Sequence, residues 1–95
     1  MDNNDNFLEI FLKIEKFLND SAGMSQHLNF SSLLAKSSEN NSVLVQYNNE
    51  LRLCSNIRNI LVHQNGKNFI LVSDSTINRI KDIYEIIIKK ISPAF

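Results

Sequence analysis

Arg58-Asn59-Ile60-Leu61-Val62-His63 places an arginine, an amide and a histidine within one short segment, at the end of a long helical pattern that runs into Gln64-Asn65-Gly66. A guanidinium holds phosphate through paired hydrogen bonds, an imidazole titrates near neutrality, and an amide can orient either partner. Together they are the parts needed to cleave a phosphodiester without a metal ion. The other reactive side chains read differently. Cys54 falls on an apolar helical stripe, where a thiol packs as a small hydrophobe. His27 lies in a polar connection, the serines form no Gly-x-Ser-x-Gly elbow, and two isolated glycines exclude the usual phosphate loops. With one cysteine and two histidines, soft ligands are too few for a structural zinc site, so neither a metal nor a cofactor is expected.

The elements that must position Arg58 and His63 are short on material. A chain of 95 residues makes one small domain, 1–95, and buries about two thirds of its unfolded surface. Its hydrophobic content is 43%, and no run of apolar residues is long enough to span a bilayer, which predicts a helical, cytoplasmic protein without a membrane segment. Net charge is zero, but the halves differ. Residues 1–50 carry three lysines against seven acidic side chains, and residues 51–95 carry seven basic side chains against three acidic ones. The basic half contains Arg58. Such asymmetry suits steering of a polyanion and equally suits the meeting of acidic and basic faces of two subunits.

Hydrophobic spacing predicts four helices. Phe7, Ile10, Phe11, Ile14, Phe17 and Leu18 recur at three- and four-residue steps after a polar start at Asn3 to Asn6. Phe30, Leu33 and Leu34 mark a short second helix, closed by Ser37 to Asn41. Leu44, Tyr47, Leu51, Cys54, Ile57 and Leu61 hold a stripe from Ser42 to His63, which predicts one long helix of about 30 Å at the centre of the fold. Phe69 to Ser73 is expected to cross in extended form. Asp74 or Ser75 then caps a final helix carrying Ile77, Ile80, Ile83, Tyr84, Ile87 and Ile91, which Ser92-Pro93 ends. The expected architecture is an all-α, antiparallel four-helix bundle. Ile83, Ile86, Ile87, Ile88 and Ile91 cover more than one face of the last helix, so surface to spare is expected there for a dimer contact or a further domain.

Phe30-Ser31-Ser32-Leu33-Leu34, Tyr47, Leu51, the segment Ile57 to His63, Ile70-Leu71-Val72-Ser73 and an Ile-rich helix ending in Pro93 together resemble the HEPN superfamily over roughly residues 30–93. The version it resembles most is the HEPN domain that precedes CBS domains, so the chain is expected to be the N-terminal part of a longer protein. The resemblance implies a helical bundle, commonly a homodimer. Many of these proteins are metal-independent endoribonucleases with an arginine, four to six intervening residues and a histidine. By that likeness Arg58 and His63 are the candidate catalytic pair, and Asn59 fills the polar position after the arginine.

Residues five apart lie about 140° round a helix, whereas Asn59 and His63, four apart, share a face. For Arg58 and His63 to reach one phosphate, either the helix frays near His63 or the two side chains come from different subunits across a twofold axis. His63 would then take the proton of a ribose 2′-hydroxyl or protonate the leaving 5′-oxygen, Arg58 would stabilise charge on the phosphoryl oxygens, and Asn59 would orient the imidazole or a phosphate oxygen. The plainer alternative pairs Arg58 with a carboxylate on a neighbouring helix and leaves His63 at a helix C-terminus, where positive charge is favoured. Two function classes follow. One is a dimeric endoribonuclease of the toxin or defence kind acting on RNA, restrained by an antitoxin or an attached regulatory domain. The other is a non-catalytic helical module, for dimerisation or RNA binding, in a regulatory protein with a downstream ligand-sensing, CBS-like region.

Overall fold

A computed structural model describes residues 2–22, 29–39, 41–63 and 71–91. These form five helices: α1 Asn3–Ala22, α2 Phe30–Ser38, α3 Ser42–Gln46, α4 Asn48–His63 and α5 Asp74–Lys90. Among the described residues there is no strand, and no helix is long and apolar enough to cross a membrane.

Four of the five helices begin where a short polar side chain satisfies an unpaired backbone amide, and α4 follows the Tyr47 bend directly. Asp2 accepts from the Asp5 N–H at 2.8 Å, Asn29 from Ser32, Asn41 from Val43 and Ser73 from Thr76. The caps of α1 and α5 therefore sit one residue ahead of the side chains expected to provide them. Asn3 and Asn4 are thereby released for a different task. Asn3 Nδ2 donates to the Val72 carbonyl and to Asp74 Oδ1, and Asn4 Oδ1 accepts from the Val72 N–H, all at 2.8 Å. This clip fastens the start of α1 to the residues leading into α5. Leu71 to Ser73 are non-helical, with Ser73 extended at φ −75°, ψ 159°. Phe69, Ile70 and the Ser92-Pro93 stop lie outside the described residues.

The predicted long third helix is divided. Tyr47 adopts φ −99°, ψ 11°, a bridge conformation that bends the chain between α3 and α4. Hydrogen bonding continues through the bend, since the Tyr47 N–H donates to Val43 and its carbonyl accepts from Leu51. The cause lies in Asn48-Asn49, weak helix formers that follow the bend. Asn48 turns aside, accepting from Arg52 Nε at 2.7 Å and donating to Ser38 Oγ at 3.4 Å. With the bend in place, α3 packs on α2 and α5 while α4 packs on α1 and α2. α1 thus touches α2, α4 and α5, and the divided third helix, as α3 and α4 together, touches α1, α2 and α5, so the two share the centre of the fold.

Phe7, Phe11, Ile14 and Leu18 of α1 meet Phe30, Leu33 and Leu34 of α2, Leu44 of α3, Leu51 of α4 and Ile77, Ile80, Ile83 and Ile87 of α5 in one continuous core. Burying each such side chain contributes about 1.5–3 kcal/mol. Phe11 stands at its aromatic centre, with ring centroids 4.7 Å from Phe30 and 6.4 Å from Phe7. The last helix carries less spare apolar surface than its isoleucines suggest. Ile83 and Ile87 are buried, and Ile86, Ile88 and Ile91 are half-buried, Ile88 in a groove shared with Asn6 and Ile10 of α1. The strongly exposed apolar side chains lie elsewhere: Leu12 on α1, Val45 on α3, Leu53, Ile60 and Val62 on α4, and Leu71.

Candidate functional site

Arg58 is in register with the core stripe of α4. Leu51, Cys54 and Leu61 lie on the same side of the helix and are buried, so the Arg58 stem enters the interior side rather than the solvent side. Its charge escapes burial because the core ends there in the face of Phe11. The guanidinium carbon lies 5.6 Å from the Phe11 ring centroid, and the side chain remains half-exposed. A cation over an aromatic face is worth about 0.5–1 kcal/mol in such a setting. Arg58 forms one wall of an open groove of about 370 Å³ between α1 and α4, lined also by Leu8, Phe11, Leu12, Glu15 and Val62. Among the described residues Arg58 has no salt-bridge partner, although Glu15 lines the same groove.

Asn59 and His63 lie on the outer side of α4, and both are exposed. The helix is regular through His63, its last residue, so fraying does not carry the imidazole round to Arg58. His63 is not among the residues lining the Arg58 groove. A single chain thus brings Asn59 and His63 to one face and sets Arg58 on another, as the five-residue spacing dictates.

A second arginine, Arg79 of α5, occupies the other side of α4. Its Nε and a terminal nitrogen both reach the Glu50 carboxylate at 2.5 Å, and its guanidinium carbon is 5.6 Å from the centroid of the Tyr47 ring. The hydrogen bond from Arg79 holds the Glu50 carboxyl below the usual carboxylate range, with slight burial opposing it and the Arg79 charge adding to it. The same pairing raises Arg79 above its ordinary value. This bridge joins the Tyr47 bend to α5. Sequence reasoning missed it because Glu50 and Arg79 are 29 residues apart, and no local pattern marks a pair made by packing.

Behind the bridge, Leu53, Cys54 and Ile57 of α4 face Thr76, Ile80 and Ile83 of α5 across a groove of about 330 Å³. Burial pushes the Cys54 thiol up to about 11, with Glu50 adding to the rise and Arg79 opposing it. The thiol is therefore protonated at neutral pH and belongs to the core rather than to nucleophilic chemistry. Among the described residues no three side chains of His, Cys, Asp or Glu lie together in a way that could hold a metal ion.

The chemically equipped region is accordingly α4, with the Arg58 groove towards α1 and an amide-imidazole face towards solvent. Compared with protein-family models, curated proteins and solved structures, the chain matches none.

Proposed function

We propose that this chain is a HEPN-like, metal-independent endoribonuclease whose site is assembled from two copies. The observation that carries the reading is the placement of Arg58 and His63 on α4. Arg58 is held over Phe11 in an open groove without a salt bridge to any described residue, and His63 stands exposed on a different side of the same regular helix. One chain therefore holds both halves of a phosphodiester site facing apart. A second copy laid over the α1/α4 groove would cover Leu12 and Val62, which are 62% and 52% exposed, and bring its own His63 to Arg58. The interface on this reading is the α1/α4 face, not the last helix. The α3–α4 unit, bent at Tyr47, serves as one arm beside α1, α2 and α5, which gives the four arms of an antiparallel bundle.

The chemistry is transesterification. The His63 imidazole accepts the proton of the 2′-hydroxyl as that oxygen attacks phosphorus, or delivers a proton to the departing 5′-oxygen. Arg58 stabilises the charge growing on the phosphoryl oxygens, and Asn59, four residues before His63 on the same face, orients the imidazole. A cytoplasmic location, and restraint by an antitoxin or an attached regulatory domain, belong to the same proposal.

Purified protein is expected to cut single-stranded RNA in EDTA, to leave 2′,3′-cyclic phosphate ends, and to spare DNA, which lacks the attacking hydroxyl. Arg58→Ala and His63→Ala should each be inactive alone. Mixed and re-equilibrated, half the dimers are heterodimers with one intact composite site of two, so about a quarter of wild-type activity should return. RNA left intact by the wild-type protein over hours would overturn the enzymatic reading, and inactive mixtures of otherwise folded variants would overturn the composite site. The second reading is a non-catalytic helical module that dimerises or binds RNA ahead of a ligand-sensing region. One observation favours it: stacking on Phe11 gives Arg58 a packing role that needs no chemistry.

A further inference from the structure

Asn48, Asn49, Arg52, Asn56, Asn59 and His63 fall within about 100° of one another round α4, at 3.6 residues per turn. From Arg52 to His63 they follow the i, i+4, i+7, i+11 steps of a single stripe, about 16 Å long at 1.5 Å per residue. Arg52, Asn56, Asn59 and His63 are all exposed. The stripe is free of carboxylates: Glu50, the one acid of α4, lies about 150° from its centre round the helix and pairs with Arg79. Its cation is also set in place: Arg52 donates its Nε to Asn48 Oδ1 one turn earlier, which fixes the plane of the guanidinium against the helix. Among the described residues Arg52 has no salt-bridge partner.

Local propensity makes this face costly. Asparagine is a poor residue for an exposed helix interior, where lysine, glutamate or alanine would stabilise α4 by a few tenths of a kcal/mol each. Choices that weaken a helix yet lie together on one face point to a ligand there. Amides offer both donors and acceptors to base edges, and a fixed guanidinium offers a plane for stacking and donors for phosphate. That combination suits an extended, unpaired polynucleotide strand. A neutral ligand would leave the guanidinium unused, and an acidic peptide would leave the amides unused.

We propose that the outer face of α4 is a track for single-stranded RNA, on which Arg52 and Asn56 are positioning residues that align the strand leading to the Arg58/His63 site. The proposal rests on the endoribonuclease reading for the direction of the strand, and its test separates the two. The probe is a fluorescent single-stranded RNA carrying 2′-O-methyl groups throughout, which can bind but cannot supply the attacking hydroxyl. Arg52→Ala should weaken its binding by about tenfold, the loss of one charged hydrogen bond, and lower the salt dependence by close to one phosphate contact. Arg52→Lys should recover part of the affinity through its charge alone. Asn56→Ala should weaken binding several-fold while raising the melting temperature, since alanine is the better helix former. A residue with a merely structural role would move affinity and stability in the same direction. Lys16→Ala, on the exposed side of α1, is the control and should leave binding unchanged. Equal affinity of wild type, Arg52→Ala and Asn56→Ala overturns the track, even if unmodified RNA is still cut. Weakened binding by both variants supports the track, even if wild-type protein proves unable to cut. Failure of the wild-type protein to bind the probe at all overturns it outright.

Discussion

Arg58 and Arg79 sit alike and are employed differently. Each guanidinium carbon lies 5.6 Å from an aromatic centroid, Phe11 for one and Tyr47 for the other. Arg79 adds a two-point contact with Glu50, whereas Arg58 faces an open groove in which Glu15 also stands but makes no salt bridge with it. Pairing commits two of the five donors of Arg79, and the edge that carries them, to Glu50. Stacking alone satisfies the flat face of Arg58 and leaves its edge, where the donors lie, directed to whatever enters the groove. One arginine closes a fold and the other presents a charge, although composition makes them the same residue.

The largest effect should separate them on RNA. Arg58→Ala is expected to lower cleavage by about 10² to 10⁴, the usual scale for losing a group that meets developing charge. Arg79→Ala should leave cleavage within about twofold of wild type, because its partner is Glu50 and not a phosphate. Initial rates on one RNA at equal protein concentration check this. Equal losses in both variants would mean that charge near α4, rather than the Arg58 groove, carries activity.

A smaller change should erase the difference without removing either arginine. Val62 follows Arg58 by one turn and lines the same groove, so Val62→Glu supplies Arg58 with the carboxylate that Glu50 gives Arg79. Glutamate after arginine at this spacing is the weaker orientation of the pair and changes stability by no more than about 0.5 kcal/mol. Cleavage should nonetheless fall by about tenfold or more, as the guanidinium turns from phosphate to carboxylate. Val62→Gln, of the same shape as the glutamate and without charge, disturbs the covered Val62 face equally and should stay about tenfold more active than Val62→Glu. A glutamate variant as active as the glutamine variant would show that Arg58 does not need to be unpaired.

Legibility in the sequence followed the range of each interaction. The helices at residues 3–22, 30–38 and 74–90 could be read because apolar residues at three- and four-residue steps leave one arrangement that hides them. The bend at Tyr47 could not be read from the apolar stripe, which passes through Leu44, Tyr47 and Leu51 without a break. Asn48-Asn49 was the available signal, and two weak helix formers in succession outweigh a continuous stripe only when the next elements pull α3 and α4 apart. At the candidate site, the separation of Arg58 from His63 was fixed by spacing alone and is what the regular α4 shows. That Arg58 faces Phe11, and that Glu50 faces Arg79, depends on which helices pack together, and residues 47 and 29 positions apart leave no local trace of it.

The smallest effect concerns acid. Because Arg79 favours the charged form of Glu50, the carboxyl has a lower pKa folded than unfolded, where it titrates near 4.3. A depressed pKa contributes stability that is fully present above the unfolded value and is lost as pH falls through the folded one. Glu50→Gln removes that contribution and keeps the shape. The melting temperature of wild type should therefore exceed that of Glu50→Gln by a constant small margin from pH 7 to about pH 5, and the margin should shrink steadily below about pH 4. The pair is substantially exposed, with Arg79 at 50% and Glu50 at 37%, so molar salt should also narrow the margin at neutral pH. Arg58→Gln offers the contrasting arm: with no described carboxylate on Arg58, its difference from wild type should stay level across the same acid range. A margin for Glu50→Gln that does not change between pH 7 and pH 3 would remove the electrostatic account of the Arg79 bridge, and with it the distinction between the two arginines.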